Sequence, residues 1–374
     1  RALAMGSRDL NALPVFDLEP FLEHKRREAT CCSGTPGELP GDLVKTCEHL
    51  AQCLHGTSLL IVKDPRCPSS DNARFQDMLE KYYAQSEEEK KLDERPHLQY
   101  QVGVTPEGVE FPRCAMNAQC RRHIEAQSEE NRAILPTGPD PKWRFFARVG
   151  ARPAETKFPE LNAEAVVPRH FPEWEEVTGM WGSRMLDGLE VVAEMAAVGF
   201  GLDRNAFIDK MKGAPHLLAP TGSDLSKYGA VGTVFAGYHY DLNFLSIHGK
   251  SRYPGLHAWL RDGRKVPVKI PEGCLLLQAG KQIEWLTGGH VLAGMHEVVC
   301  TEGTKAKADK AREEGKSLWR ISSTVFGHIN SDQILEPLGH FATKEACKKY
   351  KRCYAGEQVQ EELDTIKLGP NGLK

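Results

Sequence analysis

The chain of 374 residues is 40% hydrophobic and 26% charged, with a formal net charge of −3 and a pI near 6.6. Such a chain can bury a substantial core as one large domain or two. Its near-neutral balance speaks against nucleic acid or an anionic membrane as partner, and no apolar run approaches the roughly 20 residues that cross a bilayer.

Residues 1–7 (Arg1-Ala2-Leu3-Ala4-Met5-Gly6-Ser7) look like an expression remnant and are set apart from the fold. Whether a targeting peptide precedes residue 8 stays open. The 11 cysteines are odd in number and scattered, apart from the adjacent Cys31-Cys32, and no Cys-x-x-Cys occurs. Free thiols in a reducing compartment, and hence a cytoplasmic location, are expected rather than a zinc ribbon or a disulfide scaffold.

Leu13-Pro14-Val15-Phe16 reads as a short strand, after which Asp17 caps a helix with Pro20 in its first turn. Residues 31–41, rich in Gly, Pro and Ser, read as a loop. Leu43, Val44, Cys47, Leu50, Ala51 and Leu54 recur at helical spacing and predict an amphipathic helix over 41–55. Ser58-Leu59-Leu60-Ile61-Val62 predicts a buried strand, and a further helix runs from about Asn72 through Tyr83. The charge run Glu87 to Lys91 reads as the solvated end of that helix or the turn after it.

Across 125–175, prolines at 136, 139, 141, 153, 159, 168 and 172 speak against long helices and central strands. An extended connection is expected there, packed through Trp143, Phe145 and Phe146. Trp181, Met185, Leu189, Val192, Met195 and Ala196 then mark a long helix ending near Gly199 or Gly201, and Asp203 caps a short successor. From about residue 215 the pattern becomes strands, at 231–235, 245–248, 256–260, 265–268, 274–278, 283–286, 295–299 and 320–325. Arg261-Asp262-Gly263-Arg264 is a hairpin turn between two of them. The polar segment 301–317 reads as an exposed loop or short surface helix, and 344–363 as a terminal helix pair joined at Gly356. Short strands at this spacing, with helices mostly before them, predict an α+β chain built on a β-sandwich or jelly roll.

His239 and Asp241 are two apart, so on a strand their side chains leave the same face. His296 sits on a second strand-like run, and Arg320 and Ser322 share one face of a third. Two imidazoles and one carboxylate on converging strands can bind iron(II) while leaving coordination positions open. A cation and a hydroxyl at spacing two can grip a small carboxylate nearby. His248, His290 and His328 have no such context and read as ordinary hydrogen-bonded histidines.

On these residues the chain resembles the iron(II)- and 2-oxoglutarate-dependent dioxygenases of the isopenicillin N synthase-like family, over nearly its whole length. Leu13-Pro14-Val15-Phe16-Asp17-Leu18 is similar to that family's opening strand, and residues 275–289 to the segment leading to its distal histidine. The resemblance implies a double-stranded β-helix (a jelly-roll, cupin-like core) flanked by N-terminal and C-terminal helices. It implies iron(II) held by His239, Asp241 and His296, and the far carboxylate of 2-oxoglutarate at Arg320 and Ser322 with Phe326 beside it. The implied activity is that of an oxidoreductase using O2, with ascorbate as a supporting reductant. It would couple oxidative decarboxylation of 2-oxoglutarate, to succinate and CO2, to hydroxylation, desaturation or cyclisation of a small-molecule metabolite. Asn243, Arg252 and Tyr253 lie near the first ligands and are candidate substrate contacts; no separate acid or base residue is assigned. One compact, monomeric unit is expected, with an N-terminal α/β region at 8–124, connection and helices at 125–214, the core at 215–330 and a C-terminal helical region at 331–374.

Two features depart from the family's pattern. The family often has an Asn-x-Tyr-Pro run whose tyrosine helps hold the cosubstrate, where this chain has Leu217-Leu218-Ala219-Pro220. The gap from His296 to Arg320 is also longer than the family commonly shows, and 301–317 is the insertion that lengthens it. Two other readings stay open. One is an iron oxidase of the same fold that uses no 2-oxoglutarate, with Arg320 and Ser322 holding a substrate carboxylate. The other is a catalytically silent binding protein.

Overall fold

The computed structural model describes residues 13–30 and 38–365. Residues 1–7, Cys31 and Cys32, and most of the expected 31–41 loop lie outside them. The chain opens with strand β1 (Val15–Asp17), helices α1 (Glu19–Thr30) and α2 (Gly41–Thr57), strand β2 (Leu59–Lys63) and helices α3 (Ser69–Tyr83) and α4 (Glu87–Lys91). Asp17 Oδ1 accepts from the Glu19 amide at 2.9 Å, the expected cap of α1. The helical-period stripe of α2 buries Cys47, Leu50, Ala51 and Leu54. The charge run is solvated as expected at Glu87, Glu88, Glu89 and Lys91, but it is not the end of α3. It forms α4, capped by the Ser86 side chain, and Lys90 is buried. The Lys90 ammonium donates to Tyr83 O at 2.9 Å and lies 3.9 Å from the Trp143 ring centroid, so its charge is compensated while its stem packs.

The middle of the chain supplies β3 (Gly103–Thr105), α5 (Arg113–Met116), α6 (Ala118–Glu125), β4 (Trp143–Arg148), α7 (Trp174–Gly199), α8 (Ile208–Met211), β5 (Leu217–Leu218), β6 (Thr221–Asp224) and α9 (Leu225–Tyr228). Strand β4 corrects the expectation that 125–175 holds no central strand. It is an interior strand bonded to β3, β5 and β6, and the prolines all fall outside its 6 residues. Helix α7 is buried around most of its circumference, and at its end a side chain on Gly199 would strike the Cys47 carbonyl of α2.

The last part contains β7 (Val234–His239), β8 (Leu245–Gly249), β9 (Leu256–Trp259), β10 (Lys265–Pro267), β11 (Leu275–Ala279), α10 (Lys281–Leu286), β12 (Met295–Val299), α11 (Glu302–Glu313), β13 (Trp319–Ile321), β14 (Ser323–Gly327), β15 (Ile334–Leu335), α12 (Lys344–Lys349), β16 (Cys353–Tyr354) and α13 (Ala355–Thr365). Strand β7 runs later than the predicted 231–235 and reaches His239 itself. Residues 283–286 are helix, not strand; a four-residue apolar run does not distinguish the two. The insertion is largely the helix α11, started by a Thr301–Thr304 capping box, with Thr304, Ala308 and Ala311 buried on one side. The C-terminal region is not a simple helix pair, because β16 pairs with β15 between α12 and α13. Gly356 lies in the first turn of α13, where a side chain would collide with the Phe158 ring.

One large sheet has the order β1-β2-β11-β8-β14-β5-β4-β6-β13, with β3 on β4, and a second has the order β10-β9-β12-β7. Only β1 and β2 pair in parallel among these strands. The two sheets form the expected jelly-roll core, flanked by helices, and α7 packs against β8 and β14. Cys114 and Cys120 are joined in a disulfide, with Cα atoms 4.9 Å apart, which corrects the expectation of free thiols throughout. Among the described residues no helix is long and apolar enough to cross a membrane.

Leu189 of α7 is fully buried and fills the space that a side chain at Gly327 of β14 would take. Leu189→Ala is expected to lower the free energy of unfolding by about 2–5 kcal/mol. The measurement is the midpoint of urea unfolding, with the m-value unchanged.

Candidate metal centre and the cavities around it

The antiparallel pairing of β7 with β12 sets His239 directly opposite His296. Their ring centroids are 4.1 Å apart. Asp241 lies two residues past His239, and its Oδ1 is 3.8 Å from Nε2 of each histidine. The three ligand atoms all fall within 4.8 Å of one another, close enough to converge on one ion. Two imidazoles and a carboxylate on one side are the donor set of a non-haem iron(II) site with open positions, so the residues present fit that metal.

A layer of buried polar groups orients these side chains. His239 Nδ1–H donates to Gly237 O at 2.6 Å, which leaves the Nε2 lone pair free for a metal. The Gln278 carboxamide, on β11, lies 2.6 Å from His296 Nδ1. Ser246 Oγ, on β8, donates to Asp241 Oδ2 at 2.6 Å. Burial and the adjacent His296 push the pKa of His239 down, which keeps it a neutral ligand. Burial favours the neutral form of Asp241, but His296, His239, His248 and the Ser246 hydroxyl together hold its carboxyl below the usual range. Gln278 and Ser246 were missed by the sequence reading. The signal for both is a single polar residue inside a buried apolar strand, in Leu275-Leu276-Leu277-Gln278 and Leu245-Ser246-Ile247.

Arg320 lies on β13 opposite Ser223 of β6. It is buried, its Nε donates to Pro254 O at 3.1 Å, and among the described residues no carboxylate pairs with it. Burial alone pulls its pKa down to about 10. Ser322 Oγ accepts from the Thr221 amide at 2.9 Å and lies 2.8 Å from the Thr221 hydroxyl. Arg320, Ser322, Thr324 and Phe326 line one cavity of about 520 Å3 together with His239, Asp241 and His296. Tyr253 reaches the same cavity, its hydroxyl donating to Ser317 O. The sequence had placed Asn243 and Arg252 among substrate contacts. Asn243 donates to Leu245 O at 2.7 Å and Gly327 O at 3.2 Å and borders the outer cavity described next. Arg252 pairs with Glu80 and Asp77 of α3 and is not among the residues lining either cavity.

A second cavity of about 450 Å3, the outer one, also borders the site and shares His239, Asp241, Phe326, Arg144 and Glu110 with the first, inner one. Charged side chains along the two cavities are paired, with Asp140 on the second, Lys142 on the first, and Glu110 and Arg144 on both. Lys142 meets Asp140 at 2.8 Å and Glu110 at 3.1 Å, and Arg144 meets Glu110 at 2.5 Å. Burial would raise the Glu110 pKa, but Arg144 and Lys142 hold it at about 2, whereas burial lifts Asp140 to about 6. Over the mouth, Arg113 of α5 meets Glu362 of α13 at 3.3 Å, and the Tyr240 hydroxyl donates to the same carboxylate at 3.0 Å. His290 stacks on His55 as an ordinary surface pair, at 4.1 Å between centroids. His328 borders the second cavity, its amide donating to His216 Nδ1 at 3.0 Å.

No protein-family model matches the chain. It aligns over 202 residues with the protein named "Probable flavonol synthase 5" from Arabidopsis thaliana at 22% identity, covering 52% of this chain and 56% of that protein. A full-length Neurospora crassa protein solved in complex with alpha-KG superposes with a TM-score of 0.70 at 15% identity, over 96% of this chain and 98% of the other. A 2OG-Fe(II) oxygenase family protein from Caulobacter crescentus superposes at 0.69 and 20% identity, covering 95% and 99%. The dioxygenase for auxin oxidation 1 of Arabidopsis thaliana, solved as a 2-oxoglutarate binary complex, gives 0.58 and 16% identity, over 90% and 99%. The chain has the fold of these proteins.

Replacing Gln278 by Leu leaves all three ligands in place but removes the group that orients His296. Gln278→Leu is expected to weaken iron(II) affinity by about 10- to 100-fold, and His296→Ala to abolish stoichiometric binding, both read by metal titration of the apoprotein.

Proposed function

We propose that the protein is a mononuclear non-haem iron(II) oxygenase that couples oxidative decarboxylation of 2-oxoglutarate to oxidation of a small-molecule metabolite. Succinate and CO2 are the coproducts. The observation that carries this reading is Arg320, a buried guanidinium with no carboxylate partner among the described residues, in the same cavity as the three ligands. An uncompensated buried charge is strongly destabilising, and a dicarboxylate spanning the cavity removes the deficit. The planar guanidinium can pair both oxygens of its far carboxylate, with the Ser322 and Thr221 hydroxyls beside it.

Iron(II) held by His239, Asp241 and His296 would supply coordination of the 2-oxo acid and activation of O2. The chain's own residues bind, orient and exclude water. Phe326 stands edge-on to Phe146, at 6.1 Å between centroids, where the two cavities meet. The inner cavity receives the cosubstrate and the outer one the metabolite, whose volume suits a small molecule. The structural neighbours solved with alpha-KG and 2-oxoglutarate support this assignment. Hydroxylation, desaturation and cyclisation can all proceed from one such centre, and the outer cavity decides among them through the pose it imposes.

The oxidase reading draws its support from Leu217-Leu218-Ala219-Pro220, which brings no side-chain hydroxyl to the inner cavity. The presence of two cavities bordering His239 and Asp241 favours a cosubstrate as well as a substrate. Calorimetric titration of the iron-loaded protein under anaerobic conditions should show one 2-oxoglutarate bound per chain. Arg320→Leu should weaken that binding by about 30-fold or more, since truncating one partner of a buried charge pair costs about 2–5 kcal/mol. Absence of any binding to the wild type would overturn the 2-oxoglutarate reading in favour of the oxidase.

A further inference from the structure

His248 sits on β8 directly opposite Thr324 of β14, on the strand face that Ser246 shares. Its ring lines the inner cavity with Arg320, Ser322, Phe326 and the three candidate ligands. Nδ1 lies 2.9 Å from the Thr324 hydroxyl. Nε2 is shielded from solvent and has no hydrogen-bond partner in the protein. A buried polar atom left without a partner costs about 1–3 kcal/mol, and buried polar groups in folded proteins are almost always satisfied. Burial pushes the His248 pKa down to about 4, so the ring is neutral and carries one donor and one acceptor nitrogen. When the Thr324 hydroxyl donates to Nδ1, Nε2 carries the proton.

Among the acceptors on the cavity wall, the Glu110 carboxylate is already paired with Lys142 and Arg144. Asp241 Oδ2 already takes the Ser246 hydroxyl, Ser322 Oγ is engaged by Thr221, and residues 217–220 bring no polar side chain. What completes the geometry is an acceptor delivered with the ligand. Resting on the proposed function, we propose that His248 Nε2–H donates a hydrogen bond to a carboxylate oxygen of the bound 2-oxo acid. His248 is thus a second cosubstrate-binding side chain beside Arg320. The competing role is that of a group that orients Asp241, because the imidazole lies close enough to that carboxylate to influence its charge.

The test measures two affinities on four proteins, the wild type, His248→Leu, His248→Gln and Arg320→Leu, with Mn(II) in place of iron to suppress turnover. Metal titration of the apoprotein gives the first, and calorimetric titration of the metal-loaded protein with 2-oxoglutarate the second. For His248→Leu, a metal affinity within twofold of wild type and a 2-oxoglutarate Kd raised about 5- to 20-fold are expected, the range of one neutral-donor hydrogen bond to a charged acceptor. His248→Gln, which restores a donor on a side chain of similar reach, should recover part of that loss. It also serves if the leucine variant does not fold. An unchanged 2-oxoglutarate Kd in both variants overturns the inference, as does a loss confined to metal affinity. The wild type and Arg320→Leu separate this from failure of the proposed function. If the wild type binds 2-oxoglutarate and Arg320→Leu does not, only the role of His248 is in question.

Discussion

The register between β7 and β12 is the constraint on which the site depends. Because His239 and His296 are direct cross-strand partners, the two imidazoles are delivered to the same point by backbone hydrogen bonds and not by any contact between themselves. A slip of one residue would turn either histidine to the opposite face of its strand. Asp241 then follows just past the end of β7, where the chain leaves the sheet, and β8 returns beneath it with Ser246 to fix its carboxylate. Strand β11 contributes Gln278 to His296 from the facing sheet. Two further strands, β8 and β11, are thus committed to orienting the ligands.

The unpaired Arg320 sets the inner cavity apart from the outer one. Lys142, Asp140, Glu110 and Arg144 form a closed set between the two cavities, with Glu110 and Arg144 on both walls, and Arg113 and Glu362 pair on the outer one. Around the inner one, Arg320 is left over. Paired charges leave selection to shape and hydrogen bonding, while an unpaired buried cation selects by charge. The same metal centre can therefore face a dianionic cosubstrate on one side and a less charged molecule on the other.

The polar insertion belongs to this arrangement. Helix α11 buries Thr304, Ala308 and Ala311 against the sheet edge. Thr304 Oγ1 donates to Pro254 O, the same carbonyl that accepts from Arg320 Nε. In sequence the segment looks solvated because its apolar side is made of alanine and threonine, whose weak hydropathy hides a helical stripe among lysines and glutamates. Residues 283–286 failed for a related reason: a short apolar run has no period, and only the turn after Gly280 makes it a helix. In 125–175 the prolines were read as a property of the whole stretch, whereas their spacing leaves 143–148 free to pair on both edges. Lys90 was assigned to solvent by its charge, and the Trp143 and Tyr83 groups that accept it come from elsewhere in the chain.

The sequence by itself determined the helical stripes of α2, α3 and α7, the alternation of the later strands and the spacing of His239, Asp241, His296, Arg320 and Ser322. These are local regularities, set by backbone period and residue type over a few positions. Only the tertiary structure decided which polar groups complete the site. Gln278 and Ser246 show in sequence only as polar residues inside apolar strands, Thr221 and His248 carry no distinguishing local pattern, and each matters through the atom it meets or, for His248, through the partner it lacks. Hydrogen-bond satisfaction in a buried cleft is a property of the whole packed interior, so no window of sequence contains it.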